Sequence, residues 1–134
     1  MQSIFTANRT ALVTGASAGI GLELAKAFAP KLDSLIIVAR RIERLERIAK
    51  ELQSRYLKLN IAIEAADLSD PQAVQGLLQQ LETRRLDVDV LVNNAGLGES
   101  ELFERSPWNR TEFVRSSRSI LSRCCVSRTI FYLR

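Results

Sequence analysis

The sequence predicts an α/β fold, a doubly wound parallel sheet with helices on both faces. Three observations predict it. Short apolar runs alternate with longer segments whose apolar residues recur at helical spacing. The short runs are almost continuously apolar, as suits strands covered on both sides in a parallel sheet. Each unusual cluster of glycine, arginine, aspartate or asparagine falls just after such a run, at the sheet edge where folds of this class bind ligands.

The elements follow in order. Residues 10–14 form the first strand, with Ala11, Leu12 and Val13 in succession. The turn Thr14-Gly15-Ala16-Ser17-Ala18-Gly19-Ile20-Gly21 opens a helix whose stripe, Ile20, Leu24 and Phe28, is expected to face the sheet, and Pro30 ends it. Residues 35–39 form the second strand, with Arg40 and Arg41 at its carboxyl end. Ile42, Leu45, Ile48, Ala49 and Leu52 mark the next helix, with Glu43, Arg44, Glu46, Arg47 and Lys50 on its other face. Ile61, Ile63 and Ala65 give the third strand, which ends at Asp67. Ser69-Asp70-Pro71 combines a cap with an early proline and starts a helix striped by Val74, Leu77, Leu78 and Leu81. Asp89, Val90, Leu91 and Val92 form the fourth strand, which runs into Asn93-Asn94-Ala95-Gly96.

Composition narrows the function classes. A chain of 134 residues has room for one domain with a modest core. No apolar run approaches the roughly 20 residues that span a bilayer, and Met1-Gln2-Ser3-Ile4-Phe5-Thr6 lacks the basic and apolar regions of a secretory leader. The two cysteines, Cys124 and Cys125, are adjacent and badly placed to bridge each other, and no histidine completes a metal set. Two reduced thiols in a cytoplasmic, metal-free chain are expected. The net charge of +4 belongs to the end of the chain. All 15 acidic residues lie at or before Glu112, while Arg115, Arg118, Arg123, Arg128 and Arg134 follow it. The basic balance therefore points to neither nucleic acid nor membrane as a partner of the folded part.

The glycine turn carries the first chemical signal. A helix start leaves backbone N–H groups unpaired and bears a partial positive charge, so phosphate is its natural ligand. Glycine lets the backbone turn sharply and approach a ligand closely. The residues of this turn match T-G-x-x-x-G-x-G. Together with Asp67 after the third strand and Asn93-Asn94-Ala95-Gly96 after the fourth, the pattern resembles the short-chain dehydrogenase/reductase family over residues 9–113.

The resemblance implies a Rossmann-like doubly wound sheet with strand order 3-2-1-4, truncated after about four strands. It also implies hydride transfer between a nicotinamide dinucleotide and a small carbonyl or alcohol substrate. Gly15, Ala16, Ser17, Ala18, Gly19, Ile20 and Gly21 would hold the pyrophosphate and nearby ribose, although Gly19 and Gly21 have a rival role in helix–strand packing. A cation at the end of the second strand accommodates the 2′-phosphate of NADP, where a carboxylate would favour NAD. Arg40 and Arg41 stand there with no acid before Glu43, so NADP is expected. The alternative is that both arginines merely start the next helix in solvent. Asp67 would accept from the adenine amino group beside Leu68, or belong to the turn leading into the helix cap. Asn94, Ala95 and Gly96 would place backbone against the cofactor ribose, while Asn93 would either join them or tie the fourth strand to its neighbours.

The family pattern then stops. Ser106-Pro107-Trp108 still resembles the start of the family's next helix, but residues 115–134 do not continue it. Family members carry a catalytic serine and Y-x-x-x-K, whose tyrosine exchanges the proton at the substrate oxygen. The tyrosines here are Tyr56 and Tyr132, and the last lysine is Lys58, so no catalytic residue is assigned. The expected division is a partial dinucleotide-binding domain over residues 1–114 and a basic tail over 115–134, read as a departure from the ancestral frame. Strand four is then expected to form an open apolar edge. The expected function is that of an NADP-dependent oxidoreductase present as a truncated, cofactor-binding chain. The alternatives are a non-catalytic dinucleotide-binding regulator and a basic-tailed interaction protein. Oligomerisation stays open.

Overall fold

The computed structural model describes residues 9–95 and 130–132. Strand β1 (Thr10–Thr14) leads into helix α1 (Gly19–Phe28), which runs on as a 3₁₀ turn over Ala29–Lys31. Strand β2 (Ser34–Ala39), helix α2 (Ile42–Arg55), strand β3 (Asn60–Ala65), helix α3 (Pro71–Thr83) and strand β4 (Val90–Asn93) follow, and β5 (Ile130–Tyr132) completes the series. The sheet order is β3-β2-β1-β4-β5, and all four pairings are parallel.

Alternation along each strand divides the core between the two faces. Ala11, Val13, Leu35, Ile37, Val90 and Val92 face α1 and α2, packing with Ala25, Leu45, Ile48 and Leu52. Leu12, Ile36, Val38 and Leu91 face α3, packing with Val74, Leu77, Leu78 and Leu81. Nearly every residue of β1, β2 and β4 is buried, as the continuous apolar runs require. On the outer strand β3 the burial is only partial.

Two expectations are corrected. Ile20 does not face the sheet and is 57% exposed. The buried positions of α1 are Gly21 and Ala25, while Leu24 and Phe28 pack from the side, half-buried. Small residues let α1 lie close to the sheet; Ile20 is freed to stand at the carboxyl edge. The second correction concerns the edge of the sheet. Strand β4 is not open, because Ile130, Phe131 and Tyr132 pair with Leu91, Val92 and Asn93. A segment of the basic tail therefore supplies a fifth strand that motif reading did not foresee. The tail's cysteines, the Ser106-Pro107-Trp108 segment and Gly96 lie outside the described residues.

Turn chemistry fixes the remaining boundaries. The Asp70 side chain accepts from the Gln72 N–H at 2.9 Å and caps α3, with Pro71 in its first turn. The Asp89 carboxylate accepts from the Thr10 N–H at 2.9 Å, while the Asp89 N–H donates to the Thr10 carbonyl at 2.9 Å. That reciprocal pair sets the register at which β4 enters beside β1.

Candidate dinucleotide site

Four loops at the carboxyl edge of β1, β2, β3 and β4 converge on one cavity of about 520 Å³. Gly15, Ser17, Ala18, Gly19 and Ile20 line it from the turn after β1. Val38, Ala39, Arg40, Arg41 and Arg44 line it from β2 and the start of α2. Ala66 and Leu68 contribute from the segment after β3, and Asn94 and Ala95 from the turn after β4.

The glycine turn has the conformation its composition suggests. Gly15 and Gly19 have φ of 65° and 58°, in the left-handed region where a Cβ is strained. A Cβ on Gly15 would also lie 3.0 Å from the Ala95 Cα, whereas one on Gly19 would meet nothing. Gly21 serves packing: a Cβ there would collide with the Gly15 carbonyl and the Asn94 side-chain amide. Ala16 is fully buried and does not line the cavity; its N–H donates to the Val38 carbonyl at 3.2 Å, tying the turn to β2. The N-cap of α1 is Ala18, which offers no side-chain cap, and the first turn of the helix holds no acid. This helix therefore presents unsatisfied N–H groups and the positive end of its dipole to the cavity.

Thr14 joins the first turn to the last. Its buried hydroxyl oxygen accepts from the N–H groups of Asn94 at 3.0 Å and Ala95 at 3.1 Å. The hydroxyl lies 3.3 Å from the Asn93 side-chain oxygen and 3.4 Å from the Val92 carbonyl, either of which accepts its proton. The Asn94 amide donates to the carbonyls of Thr14 at 3.4 Å and Gly15 at 3.3 Å. Of the two asparagines, Asn93 binds β4 to β1 and does not reach the cavity, while Asn94 both braces the glycine turn and lines the cavity.

Asp67 lies beside the cavity rather than on its wall. One carboxylate oxygen accepts from the Ser69 hydroxyl at 2.6 Å and from the Ser69 N–H at 2.9 Å. The Ser69 hydroxyl, then the Ser69 N–H, hold the carboxyl below its ordinary value of 3.8; partial burial opposes them, and the Arg40 charge assists. The turn role is thus visible in the geometry, and Ala66 and Leu68 on either side form the wall.

Motif reading passed over Val38, Ala39, Ala66 and Arg44. The first three are apolar residues whose sequence signal is that of core. Arg44 reads as one more charge on a solvated helix face, and only its place in the first turn of α2 brings it to the cavity. Among the described residues, none that lines the cavity is acidic.

Comparison with known proteins agrees with this fold. The family profile described as short chain dehydrogenase matches residues 9–117. An NADP-dependent 3-hydroxy acid dehydrogenase of Schizosaccharomyces pombe is 43% identical over 93 residues, which is 66% of this chain and 34% of that protein. The chain thus spans about a third of the length of this curated relative. Among solved structures, L-sorbose reductase from Gluconobacter frateurii, complexed with NADPH and L-sorbose, superposes with a TM-score of 0.74 at 26% identity, covering 90% of this chain and 48% of that one. An alcohol dehydrogenase from the archaeon Thermococcus sibiricus, complexed with 5-hydroxy-NADP, gives a TM-score of 0.67 at 32% identity, covering 87% of this chain and 51% of that one. The profile match takes in the glycine turn, the arginine pair and the asparagine turn that meet at this cavity, and the chain belongs to the short-chain dehydrogenase family.

Proposed function

We propose that this chain holds NADP in the cavity at the carboxyl edge of its sheet, as the cofactor-binding part of an oxidoreductase acting on a small carbonyl or alcohol. One observation carries this reading: the uncapped N-terminus of α1 and the guanidinium-bearing residues Arg40 and Arg41 line the same cavity, and no carboxylate among the described residues lines it. When bound, the dinucleotide supplies or accepts hydride at its nicotinamide.

The residues present fit such a ligand. The glycine turn and the free N–H groups of α1 bind the pyrophosphate, with Ser17 adding a hydroxyl. Ala66 and Leu68 give the adenine an apolar wall. Asn94 and Ala95 set backbone beside the ribose, held there by Thr14. Arg40 and Arg41 match the charge and the fork geometry of a 2′-phosphate. The relatives named above, one NADP-dependent and two solved with NADPH or a modified NADP, support the phosphorylated cofactor over NAD.

Calorimetric titration of the purified chain with NADPH and NADH tests the reading. NADPH is expected to bind at least about ten times more tightly, the equivalent of one charge-assisted hydrogen bond. Replacing Arg40 and Arg41 together with alanine is expected to shrink the difference while NADH binding persists. Equal affinity of the unaltered chain for both dinucleotides would refute NADP selectivity, and binding of neither would refute the site.

A second reading is a dinucleotide-binding module without catalysis. Loss of NADPH absorbance in the presence of simple aldehydes and ketones separates the two. Turnover by the purified chain would exclude the second reading.

A further inference from the structure

We infer that Arg44 is a third guanidinium of the 2′-phosphate subsite and a determinant of NADP selectivity. The inference rests on the dinucleotide reading above and names a residue that the motifs do not mark. Arg44 lines the cavity together with Arg40 and Arg41. The three come from different backbone settings. Arg40 follows the last residue of β2, Arg41 is the extended N-cap of α2, and Arg44 lies in that helix's first turn. Arg41 and Arg44 are three residues apart, the spacing that brings two side chains to one helical face. Arg47, the next arginine along α2, does not line the cavity.

The electrostatics of Arg44 call for an anion. A cation in the first turn of a helix opposes the helix dipole. Lys26 and Arg55 reach Glu51, and Arg84 reaches Glu64, whereas Arg44, like Arg47 and Lys50 farther along α2, meets no carboxylate among the described residues. Among the described residues no ion pair or hydrogen bond joins the Arg44 side chain to any group. Arg40 is differently placed, because its charge already acts on the Asp67 carboxylate. Arg41 and Arg44 therefore hold the uncommitted charge at this corner. A phosphate dianion drawn to them would also sit favourably at the start of α2. A ribose 2′-hydroxyl would gain neither interaction, so Arg44 separates NADP from NAD rather than strengthening both.

The test uses the whole chain and reads binding, not turnover. Dissociation constants for NADPH, NADH, 2′,5′-ADP and 5′-AMP are measured by calorimetry for the unaltered protein and for Arg44→Ala, Arg44→Lys and Arg47→Ala. Arg44→Ala is expected to weaken NADPH and 2′,5′-ADP by about tenfold, the loss of one charge-assisted contact. NADH and 5′-AMP should be unchanged. Arg44→Lys should recover part of the loss, since it keeps the charge without the fork. Arg47→Ala should behave as the unaltered chain. Because Arg44 is exposed, circular dichroism of the variant is expected to match the parent. If the parent prefers NADPH and Arg44→Ala keeps that preference, the role of Arg44 is overturned while the dinucleotide reading stands. Equal losses for all four ligands, or an effect of Arg47→Ala as large as that of Arg44→Ala, would reduce Arg44 to general charge and overturn the inference. If the parent binds none of the four ligands, both readings fall together.

Discussion

At the residue scale the cavity is shaped by side chains that do not themselves line it. Thr14 is buried, and its one hydroxyl satisfies two backbone N–H groups that would otherwise be stranded, at a cost of about 1–3 kcal/mol each. Asp67 plays a comparable part on the other side of the cavity through its two bonds from Ser69. Its folded-state carboxyl is held below the ordinary 3.8, so its contribution to stability is present above that value and is lost as the pH falls through the folded one. Asp67→Asn retains an acceptor oxygen for the turn and removes the titration. The variant is expected to be less stable at neutral pH and to show a shallower stability loss below about pH 4. Urea unfolding from pH 7 down to pH 2.5 measures both; an unaltered acid limb would show that the Ser69 bonds do not favour the ionised form.

At the element scale, helix α3 shows how local rules and packing share control. Its apolar stripe is buried as its spacing requires, and Asp70 caps it. Its far end closes with the Leu86 N–H on the Leu81 carbonyl and the Arg85 N–H on the Glu82 carbonyl, both at 3.0 Å. That is the bond pattern of a Schellman motif, with Arg85 at φ 51° where glycine is usual. Arg85→Gly is expected to raise stability by up to about 1 kcal/mol, since relief of the left-handed strain outweighs glycine's added chain entropy. Gly76, inside the same helix, has open space where a Cβ would stand. Gly76→Ala is expected to add about 0.5–1 kcal/mol. Thermal unfolding of the two variants reads both increments. Destabilisation by Gly76→Ala would mean that another part of the chain occupies that space.

At the scale of the whole molecule, one central pair of strands connects the two cores to the site. Strands β1 and β2 run parallel over five residue pairs, and their side chains reach both helical layers. The loops after these two strands carry the glycine turn and the arginines. Ile36 is fully buried on the α3 face, and Ile36→Ala is expected to cost about 2–5 kcal/mol through lost burial and the cavity left behind. The cost should appear as the same loss of unfolding free energy in urea and in guanidinium, with a midpoint shift about twice as large in urea. A loss below about 1 kcal/mol would mean that the α3 layer repacks freely and that the sheet does not rely on it. No helix among the described residues is long and apolar enough to cross a membrane.

Most of the fold was legible in the order of residues because it depends on local rules. Continuous apolar runs specify strands buried on two faces, 3.6-residue stripes specify the buried sides of α2 and α3, and Asp70-Pro71 specifies a helix start. The glycine turn, Arg40, Arg41 and the asparagine turn were legible for the same reason: each is a short motif at a strand end. What only the tertiary structure decided depends on distance between segments. Spacing gave Ile20 to the sheet, but close approach of α1 over Gly21 and Ala25 turned it to the cavity edge. Residues 130–132 carry no motif, and pairing with β4 alone makes them a strand. Arg44 has the composition of a solvated helix face, and it joins the site only because the start of α2 rises beside the cavity. Sequence patterns report what each residue does within its own element. Which elements meet, and which charge is left without a partner where they meet, is set by packing.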